Sequence, residues 1–536
     1  MANRSLLQKA STALFVLLGL FILLTFRQYG ISNDEEVQHV YGRLLLDFYA
    51  SGFSDQAAFS YRNLYLYGGF FDLIAASLER LLHLAPGSIW LWDMRHLLSA
   101  LFGFIGIIAV FKTARLLGGL RAAFLAALLL SITGAWSGAM FTHTKDVPFG
   151  ACMAWALYYT VLISQQLPRF PRALAVKLGL AVGCALGLRI GAAFAVIYLL
   201  LMIMLATWCQ RDGWRQRYDF ISASVLSLLP AGIVAFILMA VFWPWGVMSP
   251  SHPLEAAKAF SHFTFNMLTI MDGEVMNIGS VPRAYLPAYL LVRLPEAFLM
   301  GLASLLIFNW CRFRKASHAD ILAWFSVSIA VVFPLAFILF DKPALYNGIR
   351  HFTFLLPPLA ILAGLGLSLA WDRLVDRPRL RLGFATLFAA LCLLNTVTLV
   401  RLHPYEYVYY NYLAGSLPKA EHEWEGDYWS SSLREAADKL EASIPGINKA
   451  DPRADYLVAV CAESIQGDAY LDDRFEITRD WVAADFYIST TNMNCDKVMQ
   501  GKIIATVERM GTVLAVVKDR RALNGHLRRP RPVPKP

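Results

Sequence analysis

Apolar runs of about twenty residues recur along the chain, and no other feature constrains its fold as strongly. They fall near 8–27, 95–113, 119–141, 147–165, 175–188, 191–208, 219–243, 286–308, 319–340, 352–371 and 383–400. A helix needs roughly 20 mainly apolar residues to cross a bilayer, whereas a membrane barrel reads as weak alternating segments. The predicted class is therefore an α-helical polytopic membrane protein with about eleven transmembrane helices. Only 16% of residues are charged, against roughly 25% in soluble domains, which excludes an ordinary soluble fold.

The net charge of +9 does not point to nucleic acid, because the cations gather in short loops between apolar runs. Lys112, Arg115 and Arg121; Arg169, Arg172 and Lys177; Arg211, Arg215 and Arg217; Arg312, Arg314 and Lys315; and Arg373, Arg377, Arg379 and Arg381 occupy every second loop. Such loops are cytoplasmic by the positive-inside rule. The pattern supports a hairpin over 175–188 and 191–208; one long helix there would reverse the orientation of everything after it. It puts the N-terminus in the cytoplasm and loops 28–93, 142–146, 244–285 and 341–351 on the far side with the C-terminus. Arg4 and Lys9 followed by STALFVLLGLFILLTF, with no small-residue cleavage site, read as an uncleaved signal anchor.

The predicted organisation is a membrane domain over 1–400, an interfacial connector over 401–424, a small extracytoplasmic α/β domain over 425–520 and a disordered basic tail over 521–536. Within the first loop, VYGRLLLDFYASG and YGGFFDLIAASLERLLHL read as helices lying on the membrane surface. HPYEYVYYNYLAG reads as an aromatic interfacial stretch. In the C-terminal part, SSSLREAADKLEAS reads as a Ser-capped helix, ADYLVAVCAE and ADFYISTT as strands, and IIATVERMGTVLAVVKD as a hairpin. Cys461 and Cys495 lie there; a disulfide and two free thiols are both open.

Ionisable groups collect on the far side. Asp34, Glu35 and Glu36 follow the first apolar run; His143, Lys145 and Asp146 stand in THTKDVPF; Arg189 lies in the short hairpin; and Tyr346, Arg350 and His351 precede a late apolar run. His252, His262, Glu274 and Arg283 lie in the loop over 244–285. Carboxylates with lysine and arginine at one membrane–water interface suit transfer of a sugar carried on a polyprenyl phosphate. A carboxylate takes the acceptor's proton, and cations stabilise the departing phosphate. There is no P-loop, no GxGxxG after a strand, no HxxxH and no DxD, so the expectation is no cofactor and no metal.

The ordered motifs NDEE (33–36), TKDVPFG (144–150), GLRIGA (187–192) and IRHFTFLLPPLAILAG (349–364) resemble those of the C superfamily of polyprenyl-phosphate-sugar glycosyltransferases. YLPAYLLVRLPEAF (285–298), HPYEYVYYNYLAG (403–415) and GDYWSSSLREAA (426–437) look like its bacterial members, the protein O-mannosyltransferase-like and lipid A aminoarabinose transferase-like branch. The resemblance covers most of residues 1–440. It implies an inverting transfer in the bacterial inner membrane, with Asp34 as catalytic base, Glu35 supporting it, and Lys145 and Arg350 on the donor phosphate. Arg189 is a further candidate for that phosphate. His143, Asp146, Tyr346, His351, Glu274 and Arg283 are candidate substrate-lining residues, although Asp146 can instead simply pair with Lys145. The partners implied are the bilayer, the lipid-linked sugar and an envelope acceptor. The alternatives are a lipid-linked substrate flippase, which predicts mid-membrane charges and repeats, and a glycan ligase.

Overall fold

The structure is a computed structural model that describes residues 2–209, 213–261, 267–308, 317–444 and 456–524. Arg211, His262, Cys311, Arg312, Arg314, Lys315 and the tail from residue 525 lie outside the described residues. Among the described residues, eight helices are long and apolar enough to cross a membrane, or nine if one bent pair counts as a span. One of the eight, Ile89–Ser131, is a hairpin: Gly119 leaves helical geometry at φ 76°, ψ −171°, which only glycine adopts without strain. The chain then returns along itself, so that the Trp136 indole N–H donates to the Gly103 carbonyl at 3.2 Å.

The short helix Arg172–Leu186 settles the direction of the predicted hairpin. It lies parallel to Trp214–Phe242, with Gly179 against Ala231, Gly183 against Ala235 and Gly187 against Phe242. The helix between them, Ala193–Trp208, must therefore run the other way. The core is built around Leu356–Arg373. Gly364 meets Ala122 and Ala126 there, and Gly366 meets Gly301. Small residues let helix backbones approach closely where lipid supplies no hydrophobic drive for association.

Two expectations are corrected. The predicted span 119–141 stops being a single helix at Ser131; short helices Gly134–Ser137 and Ala139–Thr142 follow. Gly134 and Gly138 there admit the backbone of Glu406 and Tyr407. The span 286–308 is bent by 115° between Tyr285–Arg293 and Glu296–Phe308. Pro295 lacks an N–H and disfavours helical geometry at Leu294, which is extended at ψ 133°. In the connector, Tyr405, Tyr407, Tyr409 and Tyr410 are all buried between the helices and the C-terminal domain, while Tyr412 and Leu413 are exposed.

The first loop holds helices Glu35–Ala50 and Phe70–Leu81. The C-terminal domain packs helix Leu433–Ser443 on a five-stranded sheet in the order β4-β3-β5-β7-β6. Its strands are β3 Tyr456–Val460, β4 Phe475–Ile477, β5 Phe486–Thr490, β6 Lys502–Arg509 and β7 Thr512–Asp519. The short β4 has no sequence signal of its own and forms by parallel pairing with β3. Strands β1 Leu268–Met271 and β2 Glu274–Asn277 make a separate hairpin in the membrane domain. Cys461 and Cys495 are joined in a disulfide. Arg521–Asn524 adds a helical turn, with Arg521 paired to Asp519, so the ordered domain runs into the predicted tail.

Candidate active site

Asp34 stands at the start of helix Glu35–Ala50. The turn carrying it is closed by Glu35, whose Oε2 accepts the Ser32 N–H at 2.7 Å and lies 3.2 Å from His96 Nε2. The bond spans the turn that precedes the helix and fixes the position of Asp34 within it. Glu35 is thereby fully buried and turned away from Asp34, which keeps 38% of its side chain exposed.

Arg350 joins the candidates. Its Nη2 pairs with Asp34 and its Nε with Asp146 Oδ2 at 3.2 Å. The other Asp146 oxygen pairs with Arg189. Asp146 therefore bridges two arginines from distant elements rather than pairing with Lys145. The Lys145 ammonium instead lies 3.8 Å from Asp72 Oδ2 and 4.6 Å from the centre of the Tyr67 ring. Asp72 in turn accepts from Arg95 Nη2 at 3.0 Å. Four cations thus meet three carboxylates, a balance that suits one further anion. Burial pushes the Lys145 ammonium down to about 8, with Asp72 opposing and Arg189 adding to that shift.

Trp429 completes the network from the C-terminal side. Its ring lies 4.0 Å from the Arg350 guanidinium, and its Nε1–H donates to His143 Nε2 at 2.6 Å. His143 Nε2 also lies 2.9 Å from the Tyr428 hydroxyl. Burial pushes the His143 imidazole down to about 3, so the ring is neutral. His143 is accordingly a prop for Trp429 rather than a lining residue. Asp427 anchors the same segment by accepting the Ser431 and Ser432 N–H groups at 3.1 and 2.9 Å.

Beside this network opens a mainly apolar cavity of about 470 Å³. Phe149, Phe194, Phe337 and Phe354 line it, and Arg189, Tyr346 and His351 stand in its wall. Glu274, on β2, and Arg283 are exposed and lie neither in the network nor on the cavity. His252 is likewise used locally, stacked 3.9 Å from Trp245.

Sequence reasoning missed Asp72, Arg95, Tyr67 and Trp429. Two of them carried a signal. Asp72 sits among the apolar residues of FFDLIAASLERL, and Arg95 opens an apolar run; ionisable groups in such places are functional by default. Trp429 stands in the quoted stretch GDYWSSSLREAA, but nothing there marked it as a site residue.

Residues 91–245, which include Arg95, Lys145, Asp146 and Arg189, match the family described as dolichyl-phosphate-mannose-protein mannosyltransferase. In structure the chain is similar to ArnT from Cupriavidus metallidurans bound to undecaprenyl phosphate, with TM-score 0.51 and 15% identity over 94% of this chain and 97% of that one. The archaeal oligosaccharyltransferase AglB from Archaeoglobus fulgidus, in complex with an inhibitory peptide and a dolichol-phosphate, gives TM-score 0.47 and 14% identity over 90% and 69% of the two chains. No curated protein sequence matches the chain. The class that results is a multi-pass membrane protein with the C-superfamily glycosyltransferase fold. The family match covers residues 91–245 alone, and the description it carries is that of a mannosyltransferase using dolichyl phosphate mannose.

Proposed function

We propose that the protein is an inverting glycosyltransferase of a bacterial inner membrane that moves a sugar from a polyprenyl phosphate to an envelope acceptor, a glycolipid, polysaccharide or protein, on the periplasmic face. The observation that carries this reading is the juxtaposition of the Asp34–Arg350–Asp146–Arg189 network with the apolar cavity, Arg189 belonging to both. A lipid tail in the cavity brings its phosphate to Arg189, Arg350 and Lys145. ArnT bound to undecaprenyl phosphate, the structure of similar fold, supports that choice of donor. The periplasmic side is supported by Arg4, Arg115 and Arg121, which gather around Asp372 at the end of helix Leu356–Arg373 away from Arg350, and by the disulfide, which needs an oxidising compartment.

In the reaction, the donor phosphate draws Arg350 away from Asp34 and frees the carboxylate. Asp34 takes the proton of the acceptor hydroxyl or amine. The acceptor atom forms the new bond to the anomeric carbon as the bond to phosphate oxygen breaks. The electron pair leaves on the polyprenyl phosphate, whose negative charge the cations stabilise. The anomeric centre inverts. The scheme assigns no step to a metal ion.

Lipid mass spectrometry on cells carrying wild type or Asp34→Asn tests the proposal. A polyprenyl-phosphate sugar should accumulate with the variant, and its mass identifies the sugar. Absence of any such lipid with a folded variant at normal abundance counts against donor consumption; wild-type behaviour of Asp34→Asn removes Asp34 as base.

A further inference from the structure

Asp72 belongs to the charged network but takes no part in the reaction steps. It stands in the first turn of helix Phe70–Leu81 and is fully buried. Gly42 on helix Glu35–Ala50 makes room for it, since a Cβ there would stand 2.4 Å from the Asp72 carbonyl oxygen. The start of its helix is tied to the stretch that leads into Arg189: the Phe70 N–H donates to the Gly187 carbonyl at 2.8 Å, and the Gly69 N–H to the Phe242 carbonyl at 2.7 Å. Asp72 Oδ1 accepts from Arg95 Nη2 at 3.0 Å. Its Oδ2 has no hydrogen-bond partner among the described residues and lies 3.8 Å from Lys145 Nζ. We propose that Asp72 is a positioning residue that keeps the Lys145 ammonium charged and in place for the donor phosphate, a proposal that rests on the transferase reading above.

The surroundings of Lys145 give the reason. Its side chain is only 6% exposed, and burial disfavours the charged form of an amine. The Tyr67 and Tyr41 rings face the ammonium with centres at 4.6 and 5.7 Å. Arg95 faces it from helix Ile89–Ser131, Arg189 from its turn and Asp34 from the start of helix Glu35–Ala50. Asp34 is already paired with Arg350, and the neighbouring Asp146 with Arg350 and Arg189. Asp72 is the carboxylate left to offset the charge of Lys145. Burial lowers the Lys145 value most; Asp72 opposes it more strongly than Asp34 does, while Arg189 and Arg95 add to the lowering. Burial also holds the Tyr67 and Tyr41 hydroxyls well above their ordinary value, so neither titrates alongside Lys145. At 3.8 Å the contact is longer than an ordinary hydrogen bond. It therefore supplies charge while leaving the ammonium N–H groups available to phosphate oxygens. Arg95 has the complementary part, orienting the carboxylate through Oδ1 and diluting its charge.

Two pH profiles of the full-length protein in lipid nanodiscs test this, taken over about two units either side of the Lys145 value: undecaprenyl phosphate affinity, and melting temperature without ligand. Lys145→Arg, which stays charged throughout, is the reference for both. Wild-type affinity should fall through a midpoint near 8. The melting temperature should begin to rise there, because an ammonium held below its ordinary 10.5 opposes folding until its proton is lost. Asp72→Asn, which can still accept from Arg95, should move both features down by about one pH unit or more. Arg95→Gln, which leaves the Asp72 charge undiluted, should move both up. In the Lys145→Arg background neither substitution should introduce a pH dependence. Profiles that stay in place in Asp72→Asn overturn the proposal. So does a loss of affinity that is equal at every pH and in both backgrounds, the behaviour of a merely structural residue. Should Asp72→Asn fail to fold, Arg95→Gln decides, and an unmoved profile there overturns the proposal. Shifted melting profiles in a protein that shows no response to undecaprenyl phosphate remove the donor reading and leave the hold of Asp72 on Lys145 standing.

Discussion

At the scale of single residues, the site is governed by who pairs with whom. Arg350 shares its guanidinium between Asp34 and Asp146 and lies against Trp429. Asp34→Asn should lower turnover about 10²- to 10⁴-fold, the ordinary contribution of a general base, while leaving undecaprenyl phosphate affinity within a few-fold; binding and single-turnover assays separate the two. Removing the aromatic face by Trp429→Ala should weaken undecaprenyl phosphate binding by about 1–2 kcal/mol, the scale of a desolvated cation–π contact. Trp429→Phe keeps the face but loses the bond to His143 and should fall between.

Lys145 makes a signed pH prediction. Its folded value of about 8 lies below the ordinary 10.5. The buried ammonium therefore opposes folding below about 8, and the ligand-free protein should gain stability as pH rises from there toward 10.5. Donor affinity should move the opposite way, falling above about pH 8 as the cation is lost. Lys145→Arg, with a guanidinium that stays charged, should flatten the affinity profile. Titration of undecaprenyl phosphate binding between pH 6.5 and 9.5, about one and a half units either side of that value, checks it.

At the scale of elements, membrane helices were legible because burial in lipid demands length and apolarity, both of which are local. Their ends and bends were less so. The run 286–308 is apolar throughout, and the break at Pro295 turns it by 115° to place Arg293 against the Tyr407 and Tyr409 carbonyls, at 2.7 and 3.2 Å. A hydropathy window does not register a bend. Nor does it register close approach: a Cβ on Gly366 would stand 2.1 Å from the Gly301 carbonyl oxygen. Gly366→Val should therefore cost at least about 1–3 kcal/mol, as overpacking does, and lower the melting temperature in detergent. Gly232, with open space around it, is the matched control: Gly232→Ala should be neutral or slightly stabilising.

At the scale of the whole molecule, the active site is assembled from stretches far apart in the chain, and the C-terminal segment closes it. The residues read as candidates from sequence, Asp34, Lys145, Asp146, Arg189 and Arg350, do come together. Local pattern alone determined that the chain is a membrane bundle, that its ionisable groups favour one end, and that a small α/β domain follows. Apolar length, charge placement and strand alternation are written within a few residues of each other, and they are what a bilayer and a sheet select. Tertiary structure decided the rest. It set Asp146 between two arginines instead of beside Lys145, turned Glu35 and His143 into supports, left Glu274 and Arg283 outside, and laid Trp429 on a guanidinium 79 positions earlier in the chain. Pairings of this kind depend on how helices pack and which buried charges must find partners, and no stretch of sequence carries that information by itself.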